Sequence, residues 1–192
     1  MNLLDHESYS DLDLEGGALA GATGVTIERA RLRGVSLAGA WFRMAQIRDA
    51  RFEDCDLSGC ELDACRLERV SWRGCRLTGL RLTSTRAPGL EVESCSGRYF
   101  ALDRSALRGA LFDRSELPEA SFIDCEMDGA ELRHTDLRGS VVQGGSWEGA
   151  DLRGCVIDGL RVSLADLRGA RVDPEQAAAL LKGAGISVEP AP

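Results

Sequence analysis

From Ile27 to Val172 every fifth residue is large and apolar, beginning Leu32, Leu37, Phe42, Ile47, Phe52 and Leu57, and among thirty such positions only Ala87 and Gly97 depart from the rule. Two residues before each centre stands Ala, Cys, Ser, Thr, Val or Gly at 26 of the 30 positions, the exceptions being Leu80, Leu90, Phe100 and Leu160. Each unit thus reads small, polar, large apolar, polar, polar or glycine. A helix of 3.6 residues per turn spreads a strict five-residue period around all its faces, and a flat strand sends alternate centres to opposite sides. A square solenoid buries the pattern, because one pentapeptide per side points both its centre and its small residue inward. Four sides make a twenty-residue coil, and residues i and i+20 then fall in one column. Two such columns read Ile27, Ile47, Leu67, Ala87, Leu107, Met127, Trp147, Leu167 and Leu32, Phe52, Trp72, Val92, Phe112, Leu132, Leu152, Val172. At the inter-strand spacing of about 4.8 Å the 7.5 coils predicted for the repeat form a rod of roughly 36 Å. No coil buries its inner face alone, so both ends need caps.

The register changes at the start of the chain. Tyr9, Leu14 and Leu19 form their own five-residue series and meet Ile27 only after three extra residues, which predicts an irregular first coil over 7–24. Between 84 and 100 the rules weaken together: Pro88 and Gly89 follow Ala87, Gly97 replaces a core residue, and Leu90 and Phe100 occupy small positions. Phase is kept, so one kinked or distorted coil is expected there. After Val172 the repeat stops. Asp173 can cap a helix, Pro174 suits its first position, and Gln176 completes a capping-box pattern. The chain therefore divides into a β-helix over 1–172 and a cap over 173–192. In the cap, Ala177, Leu180, Leu181 and Ala184 share one helical stripe, and Ile186 and Val188 read as a short strand. Such a stripe serves either as a cap alone or as a cap that is also a subunit contact.

The composition fits a folded chain, 44% hydrophobic and 28% charged over 192 residues, with only 5% aromatics, 22 Gly and 7 Cys. No run of 18 apolar residues occurs, and acidic residues lead the first 24 positions, so neither a membrane span nor a signal peptide is expected. The location expected is cytoplasmic. All seven cysteines (Cys55, Cys60, Cys65, Cys75, Cys95, Cys125 and Cys155) occupy the small inward position. Zinc sites favour cysteines two to four residues apart with converging ligands, whereas these stand on different sides or stack along one column. They read as reduced packing groups, with no metal and no cofactor. His134 beside Thr135 and Asp136 forms no triad, because Thr135 faces in and Asp136 out. Neither a phosphate-binding G-x-x-x-x-G-K-[ST] loop nor H-E-x-x-H is present, and no enzyme is expected.

Charge is unevenly spread. Residues 25–102 hold ten acidic residues and thirteen arginines, whereas residues 103–166 hold thirteen acidic residues and seven arginines, giving +3 and −6. In the distal half the twenty-residue column places Glu116 beside Asp136 and Glu131 beside Asp151, with Glu126 and Asp166 adding to the same field. This acidity serves either to bind a partner or to keep a stack of sheets soluble.

The units Ala150-Asp151-Leu152-Arg153-Gly154 and Ala165-Asp166-Leu167-Arg168-Gly169 resemble the pentapeptide-repeat family, and the resemblance covers about 150 residues. It implies an all-β, right-handed quadrilateral β-helix with a short C-terminal capping helix. The segment from Leu167 to Asp173, the Gln- and Ala-rich helix and the hydrophobic tail look like the mycobacterial and Qnr-type quinolone-resistance proteins. That resemblance implies a homodimer joined through Ala177, Leu180, Leu181, Ile186 and Val188. It also implies an acidic rod that copies duplex DNA and binds DNA gyrase, or another type II topoisomerase, through Glu116, Glu126, Glu131, Asp136, Asp151 and Asp166, with no direct nucleic-acid binding. A structural or scaffold module with no gyrase role is the alternative.

Overall fold

The computed structural model describes residues 3–189 and is a right-handed quadrilateral β-helix of about eight turns, closed at its C-terminal end by one helix. Two parallel sheets run its length. One contains Thr26–Arg33, Gln46–Glu53, Arg66–Arg73, Glu91–Glu93, Leu111–Asp113 and Glu131–Arg133, and the other runs from Trp41–Arg43 to Arg161–Val162. Partners are offset by twenty residues, as in Ile27↔Ile47, Leu32↔Phe52 and Leu102↔Phe122. The remaining sides are tied by single bridges such as Ser96↔Glu116 and Glu116↔Asp136.

The pentapeptide makes a corner because its fourth residue after each small one adopts the left-handed conformation. Every fifth residue from Arg29 to Gly159 has φ between 47° and 77°. A Cβ tolerates this region at modest cost and a β-branched side chain does not, and no Val, Ile or Thr occupies any of these corners. Inside, the centres and small residues form one continuous core, with Leu77, Leu82, Phe100, Phe112 and Leu132 fully buried. Inward hydroxyls satisfy the backbone between coils. The Cys65 amide donates to Thr85 Oγ1 at 3.2 Å, and the Thr85 hydroxyl reaches the Leu62 carbonyl at 3.0 Å.

Residues 84–100 differ from the expectation of a distorted coil, since Glu91–Glu93 pairs in register with both neighbours and Arg86 and Ser96 keep their bridges on each side. Volume is exchanged within the coil. At Gly97 a Cβ would meet the Leu77 carbonyl carbon of the neighbouring rung at 2.4 Å, and Phe100 three residues on fills the core instead. Its ring stands edge-on to Phe112 and Phe122, with centroids 6.2 and 6.5 Å away. Ala87 and Leu90, both buried, make the same exchange two sides earlier.

Near the start of the chain pairing has an 18-residue offset on three sides (Tyr9↔Ile27, Leu14↔Leu32, Ala18↔Ser36) before Thr23↔Arg43 restores twenty. The slack closes between residues 19 and 24, where the Asp5 carboxylate accepts from the Thr23 amide. At the other end, helix α1 covers Pro174–Gly183 with Asp173 and Gln176 in a reciprocal capping box. Ala177, Leu180 and Leu181 are half-buried, and Ala184, at the C-cap, is exposed. Ile186 and Val188 form no strand, and the Ile186 amide instead donates to the Leu181 carbonyl at the helix end.

Candidate interaction surface

The register places the acidic residues of the distal half on three adjacent sides. Glu116 and Asp136 stand on neighbouring rungs of one side, and Glu131 and Asp151 on neighbouring rungs of the next. Glu126 lies on a third side, where Ser146 occupies the rung between it and the turn carrying Asp166. The six residues therefore make two acidic pairs and two separate carboxylates, spread around the rod.

Several of these carboxylates carry an arginine partner, which the charge count alone did not disclose. Arg138 forms a two-pronged pair with Asp136, Arg153 does the same with Asp151, Arg133 pairs with Glu131, and Arg108 reaches Glu126 at 3.1 Å. The signal was legible as Asp-Leu-Arg or Glu-Leu-Arg, since alternation along a strand turns residues i and i+2 outward together. Asp166 and Arg168 share the spacing but sit in a turn, and they do not pair. The Arg153 guanidinium brings the Asp151 carboxyl down to about 2, and Arg138 lowers that of Asp136. Among the described residues Glu116, Asp124, Glu148, Asp158 and Asp166 have no cation within 4.0 Å. Such exposed pairs contribute only about 0–1 kcal/mol each and leave the regional charge at −6.

The thiols take no part in this surface. All seven are buried and free, and burial pushes Cys60 up to about 12 and Cys65, Cys125 and Cys155 to about 11. Cys55, Cys75 and Cys95 share a column, and Cys55 and Cys75 are raised well above an ordinary thiol; for Cys55 the hydrogen bond with Cys75 leads. No group of three or more His, Cys, Asp or Glu is placed to hold a metal among the described residues. Among the described residues no helix is long and apolar enough to cross a membrane.

The C-terminal end has a different character. Gln176, read from sequence as a cap residue only, is buried, and its amide donates to the Leu152 and Cys155 carbonyls at 2.7 and 2.9 Å. It thereby ties the helix to the last complete turn. Around this tie an apolar hollow of about 250 Å³ is lined by Leu164, Leu167, Ala170, Val172, Ala177, Leu180 and Leu181. Leu164 and Ile186 beside it are 44% and 47% exposed.

A family model described as pentapeptide repeat region matches residues 25–99, and one described as pentapeptide repeats (8 copies) matches 102–139 and 136–172. The chain belongs to the pentapeptide-repeat family. Two solved pentapeptide-repeat structures illustrate how far the likeness extends. QnrB1, described as a plasmid-mediated fluoroquinolone resistance protein, is 20% identical with a TM-score of 0.37, over 95% of this chain and 100% of QnrB1. HetL from Nostoc sp. strain PCC 7120, described as involved in heterocyst differentiation regulation, is 20% identical with a TM-score of 0.40, over 87% of each chain. No curated protein matches the sequence. In this pentapeptide-repeat chain the features that vary from coil to coil are the outward side chains, so any recognition is written there.

Proposed function

We propose that this pentapeptide-repeat protein is a non-enzymatic interaction rod whose acidic distal half occupies a basic, DNA-holding surface on a protein partner. The carrying observation is charge density. Residues 103–166 bear a net −6 over about three coils, or roughly 15 Å of rod, which is one negative charge per ~2.5 Å against ~1.7 Å for duplex DNA. A surface that holds phosphates by fixed arginines and lysines attracts such a rod by the same field. DNA gyrase, or another type II topoisomerase, is the partner that the resemblance of the C-terminal segment names, and the outcome of binding is modulation of the enzyme or protection from its inhibitors. The apolar hollow at the C-terminal end supports a homodimer in which Leu180, Leu181, Ile186 and Val188 meet their counterparts and double the rod.

The arginine partners of Glu131, Asp136 and Asp151 favour a second reading, a scaffold with a self-neutralised, solvated surface and no gyrase role. Replacing Glu116, Glu131, Asp136 and Asp151 by their amides separates the two. On the proposed reading gyrase affinity falls, the loss shrinks as salt rises because exposed charge is screened over about 10 Å at 0.1 M, and Arg31, Arg51 and Arg73 changed to Gln leave binding unchanged. Equal affinity for wild type and the amide variant supports the scaffold.

A further inference from the structure

One row of outward side chains in the proximal half crosses five successive rungs in strict register: Asp13, Arg31, Arg51, Ser71 and Glu91. It forms one bank of a groove of about 770 Å³ that runs along the rod with Ala30 and Val70 in its floor. The facing bank is electrostatically closed, because Arg29 is held by Asp11 and Arg69 by Asp49, each through two nitrogens. Arg31 and Arg51 are treated differently. They are exposed, directly opposite one another, and neither has a carboxylate within 4.0 Å among the described residues.

Like charges on opposed rungs destabilise a sheet unless a counter-charge sits between them. In the row through Arg48 the counter-charge is built in, because Arg48 lies between Glu28 and Glu68. Here two guanidinium forks stand one rung apart, about 4.8 Å, with the Ser71 hydroxyl on the next rung as a further donor. Guanidinium forks match the paired oxygens of phosphate. The row ends in a carboxylate on each side, Asp13 and Glu91, so a second negative group attached to the first in either direction along the rod meets repulsion.

We infer that Arg31, Arg51 and Ser71 form a binding site for one compact tetrahedral oxyanion, a phosphate group either free or carried as a small monoester. The two arginines share the phosphate oxygens, Ser71 donates to a third, and the terminal carboxylates exclude an extended polyanion. The site stands on the opposite half of the rod from the acidic rows and does not depend on their partner.

The test is titration of the full chain with inorganic phosphate and, separately, with adenosine monophosphate, followed by calorimetry at constant ionic strength in chloride. Saturable binding is expected, weakened at least about tenfold in Arg31→Gln and in Arg51→Gln, each with an unchanged circular dichroism spectrum. Arg81→Gln, an exposed arginine on another side that faces no second arginine and has no carboxylate within 4.0 Å among the described residues, leaves it unchanged. Tighter binding of inorganic phosphate supports a free-anion site, and tighter binding of the monophosphate supports the monoester form. No saturation by about 10 mM, an equal loss in Arg81→Gln, or preference for a DNA duplex over both small anions overturns the inference.

Discussion

Phe100→Ala restores the small residue that the repeat favours at that position, so the repeat rule alone predicts a neutral or stabilising change. The structure predicts the reverse. Phe100 is fully buried and contacts Phe112 and Phe122 edge-on, and Gly97 three residues before it contributes no side chain to the core. Truncating a buried Phe costs about 3–5 kcal/mol, and the two edge-to-face contacts place this site toward the upper end of that range. At roughly 2–4 °C per kcal/mol for a chain of this size, the melting temperature falls by about 10 °C or more. Restoring a large centre does not rescue the variant, because any side chain at position 97 meets the Leu77 backbone at 2.4 Å. Thermal melts by circular dichroism of wild type, Phe100→Ala and Gly97→Leu/Phe100→Ala decide the matter, with the double variant expected to be the least stable. A melting temperature for Phe100→Ala within a degree or two of wild type, or a double variant that recovers wild-type stability, refutes the volume-exchange account.

Gln176→Ala leaves the Leu152 and Cys155 carbonyls without their donor, at a cost of about 1–3 kcal/mol, and hydrogen exchange is expected to quicken in 150–183 while 25–140 is unaffected. Leu181→Glu is expected to give a folded monomer on size exclusion where wild type is a dimer, and a wild type already monomeric at about 50 μM removes the proposed subunit contact. The carboxyl groups of Asp136, Asp151 and Asp173 are lowered in the folded chain, by Arg138, by Arg153 and by the Gln176 backbone N–H respectively. Their stabilisation is therefore present above the unfolded value of about 3.9 and is lost as pH falls toward about 2. Melting temperature is expected to hold above pH ~5 and decline between pH ~4 and ~2, less steeply in Asp151→Asn; identical slopes in the two proteins contradict this.

The rod was legible in the sequence because one rule, a large residue every fifth position, dictates both what is buried and which residues stack twenty apart. Ile27 over Ile47 and Leu32 over Phe52 follow from counting alone. The coil around Gly97 and Phe100 was misread because a position-by-position rule cannot see that one side's missing volume is supplied three residues later. The 18-residue offset of the first coil escaped for a related reason: the slack closes through contacts of residues 19–24 with Asp5 and the next turn, not through the periodic residues. In the surface, the acidic pairs Glu116 with Asp136 and Glu131 with Asp151 followed from register, but their neutralisation by Arg133, Arg138 and Arg153 needed the alternation within each side to be applied to charges as well as to the core. Gln176 was seen as half of a capping box, and its second role became visible only once the last coil's unpaired carbonyls were in place.

The central claim is that the acidic rod engages gyrase, and the most direct measurement is DNA supercoiling by purified gyrase with and without a fluoroquinolone, titrated with this protein. The account predicts a dose-dependent change, either inhibited supercoiling or relief of the drug's effect, that weakens at high salt and is absent for the Glu116, Glu131, Asp136 and Asp151 amide variant. Supercoiling unchanged in both conditions at low salt and protein excess contradicts it.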